Sequence, residues 1–90
     1  MAIEVRVPTI LRTYTGGQKA VSAQGGTLAQ LIDDVESNNP GVKERLVDDS
    51  GLRRFINVYV NDRDVRYQQG LDTAVGPNDT VILLPAMAGG

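Results

Sequence analysis

Ile3, Val5 and Val7 alternate with Ala2, Glu4 and Arg6, the period-2 pattern of a strand with one buried face, and Pro8 closes the run. Tyr14-Thr15-Gly16-Gly17 is rich in turn formers, and Lys19-Ala20-Val21-Ser22-Ala23 alternates again before Gly25-Gly26, which predicts a hairpin between two strands. Thr27 followed three positions later by Gln30 has the form of a capping box, so a helix is expected to begin there. Leu28, Leu31, Ile32 and Val35 then recur at helical spacing, with Asp33, Asp34 and Glu36 on the opposite side, and Asn38-Asn39-Pro40-Gly41 stops the run. Val42, Leu46 and Val47 allow a short second helical piece, followed by a loop through Asp48-Asp49-Ser50-Gly51.

Residues 55–60 form the most strand-like segment, with Ile56, Val58 and Val60 on one side and Phe55, Asn57 and Tyr59 on the other. The aliphatic side is the expected core face. Asn61-Asp62 marks a turn into Val65-Arg66-Tyr67, and Gly76-Pro77-Asn78-Asp79 is a second turn that introduces an apolar strand over residues 80–84. That strand is apolar on both sides, Val81 and Leu83 against Ile82 and Leu84. A strand of this kind belongs to a sheet covered on both faces or to one whose open face meets a partner, and a single strong helix favours the second arrangement.

Ninety residues with 41% hydrophobic and 22% charged positions make one small domain, expected over residues 1–85 with a flexible tail over residues 86–90. The absence of Cys and His excludes a disulfide framework, a Cys/His zinc site, a thiol nucleophile and a Ser-His-Asp triad. A net charge of -2 with four aromatic residues gives neither the basic footprint nor the stacking platform of a nucleic-acid binder. Charges interrupt the first apolar positions, and the longest apolar stretch, residues 81–88, contains Pro85. It is too short for a bilayer, so neither a targeting segment nor a membrane association is expected and the cytoplasm is the expected location.

Ala86-Met87-Ala88-Gly89-Gly90 follow the last strand and carry no bulky or charged side chain beyond the Met thioether. At average Gly usage a Gly-Gly end arises by chance in about 0.5% of chains. Two residues without Cβ atoms can thread a narrow channel and present a terminal carboxylate to an enzyme, which makes Gly90 the candidate working group. Gly16-Gly17-Gln18-Lys19 lacks the remaining elements of a phosphate-binding loop and reads as a hairpin turn. Gly25-Gly26-Thr27 reads as a helix start rather than an anion site, and Asp33, Asp34 and Glu36 as a solvated helix face. Asn61-Asp62-Arg63-Asp64 lacks calcium-loop spacing and reads as a turn, while Arg53-Arg54 is a solvated pair or a dock for an acidic surface. Phe55, Tyr59, Ile82 and Leu84 form a candidate partner-binding face, or alternatively Phe55 and Tyr59 pack beneath residues 41–54.

The whole pattern resembles the ubiquitin-like β-grasp sulfur carriers of the ThiS/MoaD superfamily. The resemblance rests on Ile3-Glu4-Val5-Arg6-Val7-Pro8, Thr27-Leu28, Val60-Asn61-Asp62-Arg63-Asp64-Val65, Asn78-Asp79 before Val81, and Pro85-Ala86-Met87-Ala88-Gly89-Gly90. Pro8-Thr9-Ile10-Leu11-Arg12, Thr15-Gly16-Gly17-Gln18-Lys19, Arg54-Phe55 and Val58-Tyr59-Val60-Asn61-Asp62 are similar to the actinobacterial carriers of cysteine synthesis. It implies an α+β fold, a mixed sheet of four or five strands with one main helix across it and with the first and last strands parallel. The carrier is then a substrate rather than an enzyme and a monomer when free. An E1-like adenylating enzyme uses ATP to activate the Gly90 carboxylate, and a sulfur donor converts the adenylate to a thiocarboxylate, with Gly89, Ala88 and Met87 threading into the partner's active site. A synthase dependent on pyridoxal phosphate (PLP) takes the sulfur for cysteine made from O-phosphoserine, and a zinc-dependent JAMM-type peptidase releases the product. ATP, PLP and zinc belong to those partners, and no cofactor is expected on this chain. Molybdopterin and thiamine carriers, a protein modifier that forms isopeptide bonds, and a noncovalent β-grasp interaction module are the alternative readings.

Overall fold

Residues 2–54 and 56–85 are described by a computed structural model of the chain. Strand β1 (Ile3–Arg6) buries Ile3 and Val5 and exposes Glu4 and Arg6, as the alternation requires. It pairs antiparallel with β2 (Ala20–Ala23), placing Val5 opposite Val21. The connection is not the simple turn expected from Tyr14-Thr15-Gly16-Gly17. It contains a 3₁₀ helix, Thr9–Thr15, which buries Leu11 and Thr15 and closes on left-handed Gly16. Arg12 Nε donates to the Val7 carbonyl at 3.1 Å, tying this helix back to the end of β1.

The main helix α1 (Leu28–Asn38) buries Leu28, Leu31, Ile32 and Val35. Thr27 accepts the Gln30 N–H through Oγ1 as expected of a capping box, but Gln30 Oε1 reaches back to the N–H of Gly26, one residue earlier than the standard pattern. Leu28 N–H donates to the Thr73 carbonyl and Val75 N–H to the Gly26 carbonyl, so backbone partners already occupy the groups at the start of α1. Helix initiation therefore accounts for Gly25-Gly26-Thr27.

The acidic positions of α1 are not a uniformly solvated face. Asp34 accepts the Gln24 N–H, and Glu36 accepts the N–H groups of Gly41 and Lys43 at the start of the short helix α2 (Val42–Leu46). A carboxylate at this position satisfies donors that the helix leaves free. Val47, expected in the second helical piece, instead opens a small hairpin of β3 (Val47–Asp48) and β4 (Gly51–Leu52), with Asp49 and Ser50 at its tip.

Strand β5 (Ile56–Val60) buries Ile56, Val58 and Val60, and the two-residue turn Asn61-Asp62 leads into β6 (Arg63–Asp64). Two short 3₁₀ segments, Val65–Tyr67 and Gly70–Asp72, precede the turn at Gly76-Pro77-Asn78-Asp79, where Asp79 N–H donates to the Gly76 carbonyl. The final strand β7 (Thr80–Pro85) buries Val81 and Leu83. The sheet has the order β2-β1-β7-β5-β6, with β1 and β7 parallel in its interior. One face of this ubiquitin-like β-grasp sheet is covered by α1, and the core of Ile3, Val5, Leu31, Val58, Val81 and Leu83 lies between them. Among the described residues no helix is long and apolar enough to cross a membrane.

Candidate functional site

The position of β7 decides where the site lies. β7 is paired with β1 through Ile82 on one side and with β5 through Pro85 on the other, where the register partner of Pro85 is Ile56. Gly90, Gly89, Ala88, Met87 and Phe55, all singled out from the sequence, lie outside the described residues. Covalent geometry alone limits the chain beyond Pro85: residues 86–90, fully extended, reach about 17 Å. The sheet thus supplies a rigid base from which a narrow segment can extend.

On the face opposite α1, Tyr59 lies directly across from Ile82, and Leu84 lies across from Asn57. Tyr59 and Ile82 are half-buried, whereas Leu84 is 43% exposed. The three described members of the expected partner face therefore meet on one surface. Tyr59 does not pack beneath residues 41–54, because α2 packs against α1 on the other side of the sheet and strand alternation points Tyr59 away from it.

Three cations stand beside this apolar patch. A groove of about 430 Å³ is lined by Arg6, Arg12 and Lys19 together with Pro8, Ile82 and Leu84. Arg6 lies opposite Ile82 in the parallel register and is paired with Glu4 at 3.0 Å. These cations were not among the residues picked from the sequence. The available signal was the parity of Arg6 with Glu4 on the outward side of β1, since a parallel first and last strand places that side beside Ile82. Positions 12 and 19 converge on the same groove only through the 3₁₀ helix and β2.

Arg53 and Arg54 are both exposed, and they do not line this groove. Arg53 Nε donates to the Glu44 carbonyl at 2.7 Å. Arg66, read from the sequence only as part of the segment after a turn, donates to the carbonyls of Arg53 and Ile56 and to Asn57 Oδ1, which fixes the backbone leading into β5. Asn61-Asp62-Arg63-Asp64 forms the expected turn, with Asn61 and Asp62 in left-handed backbone. Among the described residues no group of three or more acidic side chains is arranged to hold a metal ion.

The arrangement is an apolar open face of the sheet, flanked by cations, beside a strand that continues in sequence into Ala86-Met87-Ala88-Gly89-Gly90. Comparison with known proteins places it. Residues 5–90 match the ThiS family. The chain belongs to the ThiS family. This ThiS-family chain is 55% identical to the sulfur carrier protein CysO of Mycobacterium tuberculosis, with all of both chains covered. A chain in the crystal structure of the Amycolatopsis orientalis BexX/CysO complex is 57% identical and superimposes with a TM-score of 0.94, covering 99% of this chain and 100% of that one. The crystal structure of Mycobacterium tuberculosis CysO is 53% identical with a TM-score of 0.90, covering 94% and 99%.

Proposed function

We propose that the protein is a sulfur carrier that transports sulfide as a thiocarboxylate on Gly90 and delivers it for cysteine synthesis. The observation that carries this reading is identity of 55% over the full length to CysO sulfur carriers, with the family match running through Gly90. The fold supports it, because β7 is paired with β1 through Ile82 and with β5 through Pro85, and in sequence it leads directly into Ala86-Met87-Ala88-Gly89-Gly90.

A free carboxylate is a poor electrophile. In the activating enzyme, a Gly90 carboxylate oxygen attacks the α-phosphorus of ATP and pyrophosphate leaves, giving an acyl-adenylate. A sulfur donor then attacks the acyl carbon and AMP leaves with the C–O bond electrons, so the carrier holds the sulfur as a soft nucleophile. This chain's own contribution is steric and positional. Gly89, Ala88 and Met87 thread the partner's channel, Gly90 presents the reacting carboxylate, and Tyr59, Ile82 and Leu84 dock the body of the carrier. ATP, PLP and zinc act in the activating enzyme, the cysteine synthase and the JAMM-type peptidase respectively.

Exchange of labelled pyrophosphate into ATP, catalysed by the host's adenylating enzyme, tests the first step. Exchange is expected with the intact chain and is lost when Gly90 is deleted; exchange that persists in the deletion variant contradicts the assignment.

A further inference from the structure

A second groove lies at the same end of the molecule, on the other side of the 3₁₀ helix. It encloses about 410 Å³ between that helix, α2 and the start of β5, and is lined by Ile10, Leu11, Tyr14, Arg45, Arg53 and Ile56. Ile10 is 62% exposed, a large apolar side chain at the rim of an apolar-walled groove. Arg45 is held over the Tyr14 ring at 5.5 Å, and its Nε donates to Tyr14 Oη at 3.0 Å. Arg53 is fixed through Nε to the Glu44 carbonyl. Both guanidinium groups are thus oriented by neutral acceptors, and among the described residues neither forms an ion pair. No carboxylate lines the groove.

Two oriented, unneutralised guanidinium groups beside aliphatic and aromatic walls suit a segment that carries carboxylates around an apolar side chain. Ile56 lines the groove and is also the register partner of Pro85, so the groove adjoins the point where β7 ends. The 3₁₀ helix separates it from the groove of Arg6, Arg12 and Lys19, contributing Ile10, Leu11 and Tyr14 to one and Arg12 to the other. Among the described acidic residues only Glu4 lines either groove. In a chain of net charge -2, cations are therefore gathered at the end from which the Gly-Gly segment departs.

We propose that this second groove docks an acidic segment with an apolar anchor at the mouth of the enzyme that adenylates Gly90. The inference rests on the sulfur-carrier reading and adds a recognition site separate from the open face of the sheet. The electrostatic need is specific to this step. An anionic carboxylate must approach anionic ATP, and pairing of carrier cations with carboxylates around the channel offsets that repulsion and aligns the approach.

Steady-state pyrophosphate release by the adenylating enzyme, with intact carrier as the varied substrate, tests the proposal. Ile10→Asp and the double variant Arg45→Glu/Arg53→Glu are expected to raise KM for the carrier at least tenfold with kcat within twofold. Arg63→Glu, at the opposite end of β5, is expected to leave KM unchanged. Thermal melting of each variant controls for folding, and Ile10→Asp, at an exposed position, decides the matter if the double variant does not fold. Wild-type KM in a folded groove variant overturns the inference while leaving the sulfur-carrier reading intact. A lowered KM overturns it in favour of a groove that holds this chain's own residues 86–90, and an intact chain that is never adenylated overturns both readings.

Discussion

Asn61 occupies left-handed backbone at φ 51 and connects three elements through its side chain and main chain. Its Nδ2 donates to Asp79 Oδ1, its Oδ1 accepts the Thr80 N–H, and its own N–H donates to the Thr80 carbonyl. The turn after β5 is thereby tied to the start of β7. Asn61→Ala removes both side-chain bonds and places a less suitable residue in this conformation, for an expected loss of about 2 kcal/mol. Urea unfolding should show a lower midpoint at unchanged slope, and an unchanged midpoint contradicts this account. Gly41 is constrained by both conformation and space: its φ is +105, and a Cβ there falls 2.7 Å from Tyr14 Cδ1. Gly41→Ala is therefore expected to cost more than about 1 kcal/mol. Because Tyr14 orients Arg45, the same substitution is expected to raise the carrier KM in adenylation.

At the scale of elements, α1 and the alternating strands are legible because each repeats one simple period, as in Leu28, Leu31, Ile32 and Val35 or in Ile56, Val58 and Val60. The start of α1 is also written locally in Thr27 and Gln30, and Thr27→Ala is expected to cost about 1 kcal/mol. Hydrogen exchange should report that loss as faster exchange at Gln30, and unaltered protection there contradicts the assigned cap. The 3₁₀ helix is harder to read. Its buried residues are Leu11 and Thr15, one of them polar, while Ile10 is exposed at the groove and Tyr14 only packs against the edge of the core. Thr, Arg and Gly positions around it have the composition of a turn. The β3–β4 hairpin is equally short of pattern, since strands of two residues cannot display a period. For the same reason the roles of Glu36 and Arg66 are invisible in the sequence. Each satisfies backbone groups of another element, and composition carries no trace of those partners.

At the scale of the molecule, the parallel pairing of β1 and β7 brings Arg6 beside Ile82, and the 3₁₀ helix and β2 bring Arg12 and Lys19 to the same place. That Tyr59, Ile82 and Leu84 share a face was legible from strand parity, whereas the cations around them become neighbours only in the folded sheet. Leu84, exposed and outside the core, separates docking from stability. Leu84→Asp is expected to weaken the complex with the adenylating enzyme at least tenfold, corresponding to about 1.4 kcal/mol, with little change in melting temperature. Titration calorimetry that finds wild-type affinity rejects this face. The central claim is the thiocarboxylate on Gly90, and intact mass spectrometry reads it directly after incubation with ATP, sulfide and the host's adenylating enzyme. The account predicts a mass gain equal to replacement of one oxygen by sulfur, present in the intact chain and absent when Gly90 is deleted. No gain, with the enzyme shown active on another carrier, or a gain that survives the deletion, contradicts it.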